Sequence, residues 1–137
     1  ELDYTYWLFG PFDEICGRVG RISSLDIESE DVAVMTLGSD HLLGSVHVDY
    51  CRPVPRRTLE VVFDEGVVTA DLIEQTVTIE RRDGSKTESF DYDRDDVFRR
   101  QLDHFLGAVD RRESTCNEVH EGKKVLNLAL KAKSSHK

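Results

Sequence analysis

Residues 42–72 read LLGSVHVDYCRPVPRRTLEVVFDEGVVTADL and contain two segments in which apolar and polar residues alternate. Strict alternation is typical of a β-strand with one buried face. In Leu42–Tyr50, one side carries Leu42, Val46, Val48 and Tyr50, and the other carries Ser45, His47 and Asp49. In Arg57–Phe63, one side carries Leu59, Val61 and Phe63, and the other carries Thr58 and Glu60. Asp64-Glu65-Gly66 then favours a tight turn into a further strand, so the segment predicts a meander.

Further strands are predicted on both sides of this meander, at Glu14–Ile22, Asp31–Leu37, Glu74–Arg81 and Lys86–Tyr92. Helical spacing predicts a helix at Glu1–Phe9 that stops at Gly10-Pro11, and two more at about 95–112 and 119–133. Their apolar stripes are Phe98, Leu102, Phe105, Leu106 and Val109, and then Val125, Leu126, Ala129, Leu130 and Ala132. Thr115–Glu118 has the spacing of a capping box for the last helix.

This order of elements predicts an α+β fold: a mostly antiparallel, open-faced sheet of six or seven strands with helices packed on one face. The 137 residues are enough for one domain with a sizeable core, so we expect residues 1–137 to form a single domain. A mix of 39% hydrophobic and 33% charged residues is typical of a globular domain rather than a disordered chain.

The charge balance excludes two classes of partner. A net charge of −9 repels phosphate backbones and anionic lipids, so we expect neither nucleic acid nor a membrane surface as a partner. No apolar run in the sequence is long enough to span a membrane, and we expect no signal peptide. The three cysteines, Cys16, Cys51 and Cys116, fit neither a disulfide framework nor a zinc site. We therefore expect a cytoplasmic protein.

Residues that could carry chemistry are few. His47 and Asp49 share one side of a strand and could act as an acid and base or bind a metal, although an exposed polar pair explains them as well. His104 and His120 lie on different predicted helices without a metal-binding spacing, so we expect no metal site. Cys51 could be a nucleophile, but a single strand cysteine is more often a small buried hydrophobic residue. We assign no catalytic residue.

The segment between the two alternating strands is a basic corner, Arg52-Pro53-Val54-Pro55-Arg56-Arg57. Three guanidinium groups on a bend stiffened by proline form a candidate site for a carboxylate or phosphate group, so Arg52, Arg56 and Arg57 are the predicted substrate-binding residues. A solvated corner is the alternative. Gly17-Arg18-Val19-Gly20 lacks the spacing of a dinucleotide-binding loop, and we expect no nucleotide site in this chain.

The sheet face that the helices leave open carries mixed residues. It is predicted to expose polar side chains interspersed with Leu43, Cys51 and Val62. Such a mixture occurs both on solvated faces and in contacts between sheets of neighbouring subunits. The candidate interface residues are His47, Asp49, Thr58, Glu60, Thr76 and Thr78.

Three segments together resemble the Gfo/Idh/MocA oxidoreductases. ELDYTYWLFG resembles the helix that follows the active-site histidine of that family, through Asp3, Trp7, Leu8 and Gly10. GSVHVDYCRPVPRRTLEVVFDEGVV is similar to a segment of the family's sheet, through Gly44, Tyr50, Pro53, Leu59, Glu60 and Gly66. Glu121-Gly122 and VLNLALKAKSS are similar to its closing helix. Phe63, where glycine is frequent, and Tyr6, where arginine is frequent, depart from the pattern.

The resemblance implies that this chain is only the C-terminal domain of a two-domain NAD(P)-dependent enzyme. In that family, a Rossmann domain comes first and carries the glycine-rich loop and a catalytic lysine, and the catalytic histidine would come just before Glu1. The cofactor, NAD or NADP, would therefore bind in the parent protein and not in this chain. The second domain of the family contacts substrate and forms oligomers through its open sheet.

These expectations give two hypotheses of function. The first is the substrate-binding and oligomerisation domain of a sugar- or polyol-type dehydrogenase, which is not catalytic alone and forms a homo-oligomer. Its partners would be its own Rossmann domain, a small-molecule substrate and further copies of itself. The second is a stand-alone, non-catalytic interaction module that uses an exposed sheet face. A hydrolase based on His47 and Asp49 is a weaker third hypothesis.

Overall fold

A computed structural model describes residues 1–135 of the chain. Its helices are α1 (Leu2–Phe9), α2 (Arg94–Arg111) and α3 (Val119–Ser134). Its strands are β1 (Glu14–Gly20), β2 (Val32–Ser39), β3 (Leu42–Asp49), β4 (Thr58–Phe63), β5 (Gly66–Asp71), β6 (Thr76–Arg81) and β7 (Gly84–Ser89). No helix in this range combines the length and the apolar character needed to cross a membrane.

Every described strand pair is antiparallel, which confirms the predicted α+β class, and the seven strands lie within the predicted six or seven. The strands form two sheets, one of order β1-β2-β3 and one of order β4-β5-β6-β7. The chain also divides into two compact units. The first unit is Glu1–Arg52 with the described residues from Ser114 onward, and the second unit is Pro53–Glu113. The sequence did not reveal that the proline corner separates two sheets as well as two strands.

The first unit contains a helix-covered core. Phe12, Leu37 and Leu128 are buried together, and partly buried side chains of α1, β1 and β3 pack around them. Tyr6 contacts Phe12 edge-on, with 6.3 Å between ring centroids. Burying an aliphatic or aromatic side chain stabilises a fold by roughly 1.5–3 kcal/mol, so these contacts account for the attachment of α1 to the sheet.

Helix α3 approaches the sheet closely at Gly17 of β1. A Cβ at Gly17 would lie 3.2 Å from the Cβ of Ala132 and 2.9 Å from Cγ of Met35, so the missing side chain makes room for the helix. Ser135, just after α3, fastens the contact: its Oγ accepts a hydrogen bond from the Gly17 N–H at 2.8 Å. The small residues Gly17 and Ala132 therefore determine which face of α3 packs against the sheet.

The second unit is a four-stranded meander with two different faces. Its apolar face carries Leu59, Val61, Val68, Ala70, Val77 and Ile79, all only partly buried. Its polar face carries a row across the four strands in register: Glu60, Thr69, Thr78 and Thr87. Helix α2 follows, and Asp93 caps it by accepting a hydrogen bond from the Asp95 N–H at 2.9 Å. Ala108 is buried, whereas the predicted stripe of α2 is about half exposed, for example Phe105 at 52%.

Two local predictions, the burial of Tyr50 and the cap of α3, were wrong. Tyr50 is 78% exposed rather than on the buried side, because β3 ends at Asp49 and the alternation ends with it. Cys51 is exposed, in agreement with its place among the open-face residues and not with the alternative of a buried hydrophobic residue. Helix α3 is capped at Glu118, three residues after the predicted Thr115; the Glu118 N–H donates to the Glu121 carboxylate at 3.3 Å. Thr115 instead donates to the backbone oxygen of Asn117.

Candidate functional site

The first unit contains a cavity of about 830 Å³ between its sheet, the start of α1 and α3. Its floor is apolar and is formed by Val19, Val32, Ala33, Met35 and Val48 of the sheet and by Val125, Leu126 and Ala129 of α3. Polar groups stand at its margin: Glu1, Asp3, Glu30, Asp31, Asp49, Tyr50 and Lys133. An apolar cavity with a few polar groups is the usual form of a small-molecule site, and we call it the first-unit pocket.

Asp31 connects the chain segments at one end of the pocket through hydrogen bonds. It is 2% exposed, and its carboxylate accepts hydrogen bonds from the Ile22 N–H at 2.8 Å, the Ser23 N–H at 2.9 Å and the Ser23 hydroxyl at 2.5 Å. These donors, the Ser23 hydroxyl first, lower the pKa of Asp31. Its backbone carbonyl accepts from the Tyr50 N–H at 2.9 Å. One residue therefore joins the loop after β1 to the end of β3.

Asp49 and Tyr50 sit side by side at the end of β3 and line the pocket. The Asp49 carboxylate accepts from the Arg52 N–H at 2.9 Å, and its side chain is only 10% exposed. His47 Nε2 lies 3.4 Å from Asp49 Oδ2, and Arg52 Nε lies 3.5 Å from the same oxygen. The carboxylate is thus fixed in orientation, while the adjacent Tyr50 ring is open to solvent.

Lys133 also lines the pocket, near the end of α3. Its ammonium group forms a salt bridge with Glu30 at 2.5 Å, which lowers the pKa of that glutamate. The pair joins the loop between β1 and β2 to α3 across the margin of the pocket. The charge of the lysine is therefore already matched within the protein.

The predicted basic corner is distributed between the two units. Arg52 belongs to the first unit, where it meets Asp49, and Arg56 and Arg57 belong to the second. Arg56 lies close enough to Asp71 to contribute to the lowering of the Asp71 pKa, after the N–H groups of Glu74 and Ile73. The assignment of these three arginines to substrate binding stays a prediction.

The predicted interface residues fall into two groups. His47 and Asp49 lie on the three-stranded sheet of the first unit. Thr58, Glu60, Thr76 and Thr78 lie on one face of the four-stranded sheet, where Thr58 and Glu60 are exposed. Thr78 Oγ1 and Thr87 Oγ1 are hydrogen-bonded at 2.9 Å. Apolar side chains stand on the outward sides of both sheets, namely Leu43 at 85% exposed and Val62 at 72%. Their role in an interface stays a prediction.

The cofactor implied by the resemblance does not fit the residues of this chain. A dinucleotide site needs a glycine-rich turn from a strand into a helix, with free N–H groups at the helix start. The one such junction within residues 1–135 runs from β7 to α2, reads FDYD and contains no glycine. The Asp93 carboxylate already accepts the Asp95 N–H there, and the nearby acidic residues would repel a pyrophosphate.

Asp31 and the Glu30–Lys133 pair were missed by sequence reasoning. Both acidic residues lie in the run SSLDIESED, which looks like a solvated connection because nothing in it distinguishes a buried carboxylate from an exposed one. His120 is paired with Glu118 at 3.1 Å, and the described residues contain no group of three or more histidine, cysteine or acidic side chains placed to hold a metal ion.

Comparison with known proteins identifies the fold. No protein-family model and no curated protein sequence matches the chain. Two structures of the UDP-N-acetylglucosamine 3-dehydrogenase GnnA from Acidithiobacillus ferrooxidans match 98% of it, with TM-scores of 0.78 and 0.80 at 20% and 16% sequence identity. A Thermotoga maritima protein described only as an oxidoreductase matches 97% of it, with a TM-score of 0.73 at 16% identity.

The chain is shorter than these proteins. It spans 43% of the GnnA chain and 40% of the Thermotoga maritima chain. At such identities, the similarity establishes the fold. The chain therefore has the α+β fold of one part of these larger oxidoreductases.

Proposed function

We propose that this chain is the C-terminal, substrate-binding and oligomerisation domain of an NAD(P)-dependent sugar- or polyol-type dehydrogenase of the Gfo/Idh/MocA family. The observation that carries the proposal is the fold similarity over 98% of the chain to less than half of a sugar-nucleotide dehydrogenase. The family motifs in α1, β3, β4 and α3 support it independently. We also propose that the parent works in the cytoplasm, where Cys16, Cys51 and Cys116 would stay reduced.

In this proposal, the chain binds and orients substrate, and hydride transfer belongs to the parent. The first-unit pocket is the part of the chain suited to a small molecule, since its floor is apolar and fixed polar groups stand at its margin. NAD or NADP would bind in the preceding Rossmann domain, in agreement with the poor fit of the junction between β7 and α2.

The arginines of the basic corner would contact an anionic group of the substrate outside the pocket. Arg52 is the best placed in the first unit, because it follows Tyr50 closely and its backbone is fixed by Asp49. Its side chain is 42% exposed, so its guanidinium can reach a ligand while it stays near Asp49. Bidentate contacts of arginine with carboxylate or phosphate groups are among the stronger hydrogen bonds in proteins.

Oligomerisation would use the outward sides of the sheets. Leu43 and Val62 are large exposed apolar residues on strands, and residues of this kind become buried at subunit contacts. The neighbouring threonines and serines can form hydrogen bonds across such a contact. A homo-oligomer is therefore the partner that we propose for these faces.

The test of the function uses the full-length parent. Reduced nicotinamide formation is measured with NAD or NADP and a panel of sugars, sugar nucleotides and polyols. We expect turnover with at least one of them. A parent that binds neither NAD nor NADP would contradict the proposal and favour a stand-alone interaction module.

Arginine variants test the substrate contact. Arg52→Ala or Arg56→Ala in the parent should raise KM for an anionic substrate about tenfold, the effect of losing roughly one charge-assisted hydrogen bond. Arg82→Ala, an exposed arginine of the turn between β6 and β7, is the control. An unchanged KM in both Arg52→Ala and Arg56→Ala would show that these arginines do not contact the substrate.

A charge on the polar face tests oligomerisation. Thr58→Asp or Thr76→Asp should shift the parent toward monomers in sedimentation experiments, because an unpaired carboxylate would be buried in the contact. Thr115→Asp, in the loop before α3, adds the same charge elsewhere. A parent that is monomeric at all concentrations, or an oligomer that the Thr58 and Thr76 variants leave intact, would contradict this part.

A further inference from the structure

We infer that helix α2 is a docking surface for α2 of a second copy of this chain. The two helices form an antiparallel pair in which Asp95 of each copy lies beside Arg112 of the other. This contact goes beyond the proposed function, because it uses a helix rather than the outward sides of the sheets. It also does not depend on any activity of the parent protein.

The apolar stripe of α2 is open along its length. Phe98, Leu102, Phe105 and Val109 are each between 52% and 56% exposed. Ala108, the buried residue of α2, lies beside this line of side chains and not in it. A helix that packs on its own sheet buries its apolar stripe, so the described residues 1–135 leave much of this stripe uncovered. Contiguous exposed apolar surface of this kind marks an interaction site.

The spacing of the stripe is that of a coiled-coil seam. Phe98, Leu102, Phe105 and Val109 occupy successive d, a, d and a positions of the heptad pattern. Leu106, at the neighbouring e position, widens the seam on one side. The helix has 18 residues and is therefore about 27 Å long, enough for two heptads. The stripe therefore fits a second helix laid along α2.

The two positions that extend this seam carry opposite charges. Asp95 occupies the a position before Phe98, in the first turn of α2. Arg112 occupies the d position after Val109 and is the C-cap residue of the helix. The seam therefore begins with a carboxylate and ends with a guanidinium.

These terminal charges select both the partner and its direction. In an antiparallel pair, an a position of one helix lies beside a d position of the other, so Asp95 meets Arg112 at both ends and Phe98 meets Val109 between them. A parallel pair would place Asp95 beside Asp95 and Arg112 beside Arg112, and like charges in contact are unfavourable. The helix dipoles also attract each other only in the antiparallel pair. A second α2 is therefore complementary to α2 in both shape and charge.

The neighbouring charges of α2 have partners on their own chain. Asp96 forms a salt bridge with Arg99, and Arg111 forms one with Glu113 at 2.7 Å. Asp96 and Arg111 also lie on the side of the helix away from the seam, since they occupy the b and c positions of the heptad pattern. They therefore provide matched controls for Asp95 and Arg112.

Nuclear magnetic resonance spectra of the 137-residue chain, recorded from about 1 µM to about 1 mM, measure this contact separately from any contact of the sheets. We expect the amides of Leu102 and Phe105 to shift as the concentration rises. Leu102→Glu should abolish the shifts, because it buries a carboxylate in the seam. Val97→Glu, at a 49% exposed position outside the seam, should retain them. Amides of α2 that do not shift would leave the stripe to another partner, such as the preceding domain of the parent, and would overturn the inference.

Charge reversals test the antiparallel arrangement. Asp95→Arg and Arg112→Asp should each weaken self-association about tenfold or more, because each variant places like charges together at both ends of the seam. Asp96→Arg and Arg111→Asp change the net charge equally outside the seam and should change the affinity less than about twofold. Equal effects of Asp95→Arg and Asp96→Arg, or of Arg112→Asp and Arg111→Asp, would overturn the inference.

A mixture of the Asp95→Arg and Arg112→Asp chains provides the rescue. A pair formed by one chain of each kind again has opposite charges at both ends of the seam. We expect its affinity to return to within about twofold of that of the original chain, which would also show that both variants fold. A mixture that associates no more tightly than either variant alone would overturn the inference.

Discussion

In the first unit, helices cover the apolar side of the sheet; in the second, that side is only partly buried. Of the seven buried residues within residues 1–135, six belong to the first unit: Phe12, Asp31, Met35, Leu37, Leu128 and Ala132. The second unit has Ala108. Both sheets nevertheless have complete antiparallel ladders.

The difference teaches which interactions each unit depends on. Packing of side chains between sheet and helices stabilises the first unit, so truncation of a buried side chain should be most costly there. The second unit relies more on its ladders and on the turns that set their register. Changes to its backbone should therefore matter more than changes to its side chains.

The largest expected effect is that of Leu37→Ala. Leu37 is 1% exposed at the centre of the first unit, and loss of a buried leucine costs about 2–5 kcal/mol in free energy of unfolding. Leu43→Ala removes the same atoms from an 85% exposed position on the neighbouring strand and should change stability by less than about 0.5 kcal/mol. Denaturant titration measures the free energy of unfolding of both variants. Equal losses of stability would contradict the assignment of Leu37 as buried and Leu43 as exposed.

Gly66→Ala tests the dependence of the second unit on its backbone. A Cβ at Gly66 would lie 2.2 Å from the carbonyl oxygen of Glu80, a backbone atom that cannot move without breaking the pairing of β5 with β6. We expect a loss of about 1–3 kcal/mol, as for other overpacked sites.

Gly44→Ala is the matched control for that change. Gly44 lies on β3 of the first unit, and a Cβ there would meet no atom within 4 Å. Hydrogen exchange of the β5 and β6 amides should accelerate in Gly66→Ala and stay unchanged in Gly44→Ala. If exchange accelerates mainly in the first unit, the contrast between the units is wrong.

The smallest effect on stability is expected when asparagine replaces either of two aspartates that accept backbone N–H groups, one in each unit. Asp31 is buried, whereas Asp71 is partly exposed and accepts from Ile73 and Glu74 at 2.9 and 3.0 Å. We expect Asp31→Asn to lower Tm by several degrees at neutral pH and Asp71→Asn to lower it less. The amide group of asparagine cannot accept from all the donors that surround Asp31.

The pH dependence of these two sites has a definite sign. The pKa values of Asp31 and Asp71 are lowered in the folded state, so both carboxylates stabilise the fold fully above their unfolded-state pKa. That stabilisation is lost as the pH falls through the depressed folded-state pKa. Thermal unfolding at a series of acidic pH values should show a weaker pH dependence in Asp31→Asn than in the original chain; an unchanged dependence would contradict the assignment.

Most of the fold could be predicted because alternation and helical spacing report directly on burial. The strands from β1 to β7 and all three helices appear near their predicted positions. Alternation could not show that β3 and β4 belong to different sheets, since the pattern within a strand carries no information about its neighbour. Tyr50 was misplaced for a related reason: periodicity does not mark the residue at which a strand ends.

The choice of helix face also lay beyond the sequence pattern. Helix α3 has apolar residues on two adjacent stripes, and the stripe with Leu128 is buried while Leu126 and Leu130 are exposed. Gly17 decides between the stripes, because only a small residue on α3 can approach it closely. The pocket likewise depends on Asp31, a contact between a loop and two strand ends that no local motif announces.

Asp31 has a practical consequence for protein engineering. Its carboxylate holds the Ile22 and Ser23 N–H groups, and its own backbone pairs with Gly20 and Tyr50. These hydrogen bonds hold the two ends of the loop between β1 and β2 at a fixed distance from each other. The residues between Ser24 and Ser29 connect these ends but do not determine that distance. A peptide tag or a longer segment inserted there would add little closure entropy, since that cost grows only with the logarithm of loop length. The position offers a place to attach a label to the chain without disturbing its sheets.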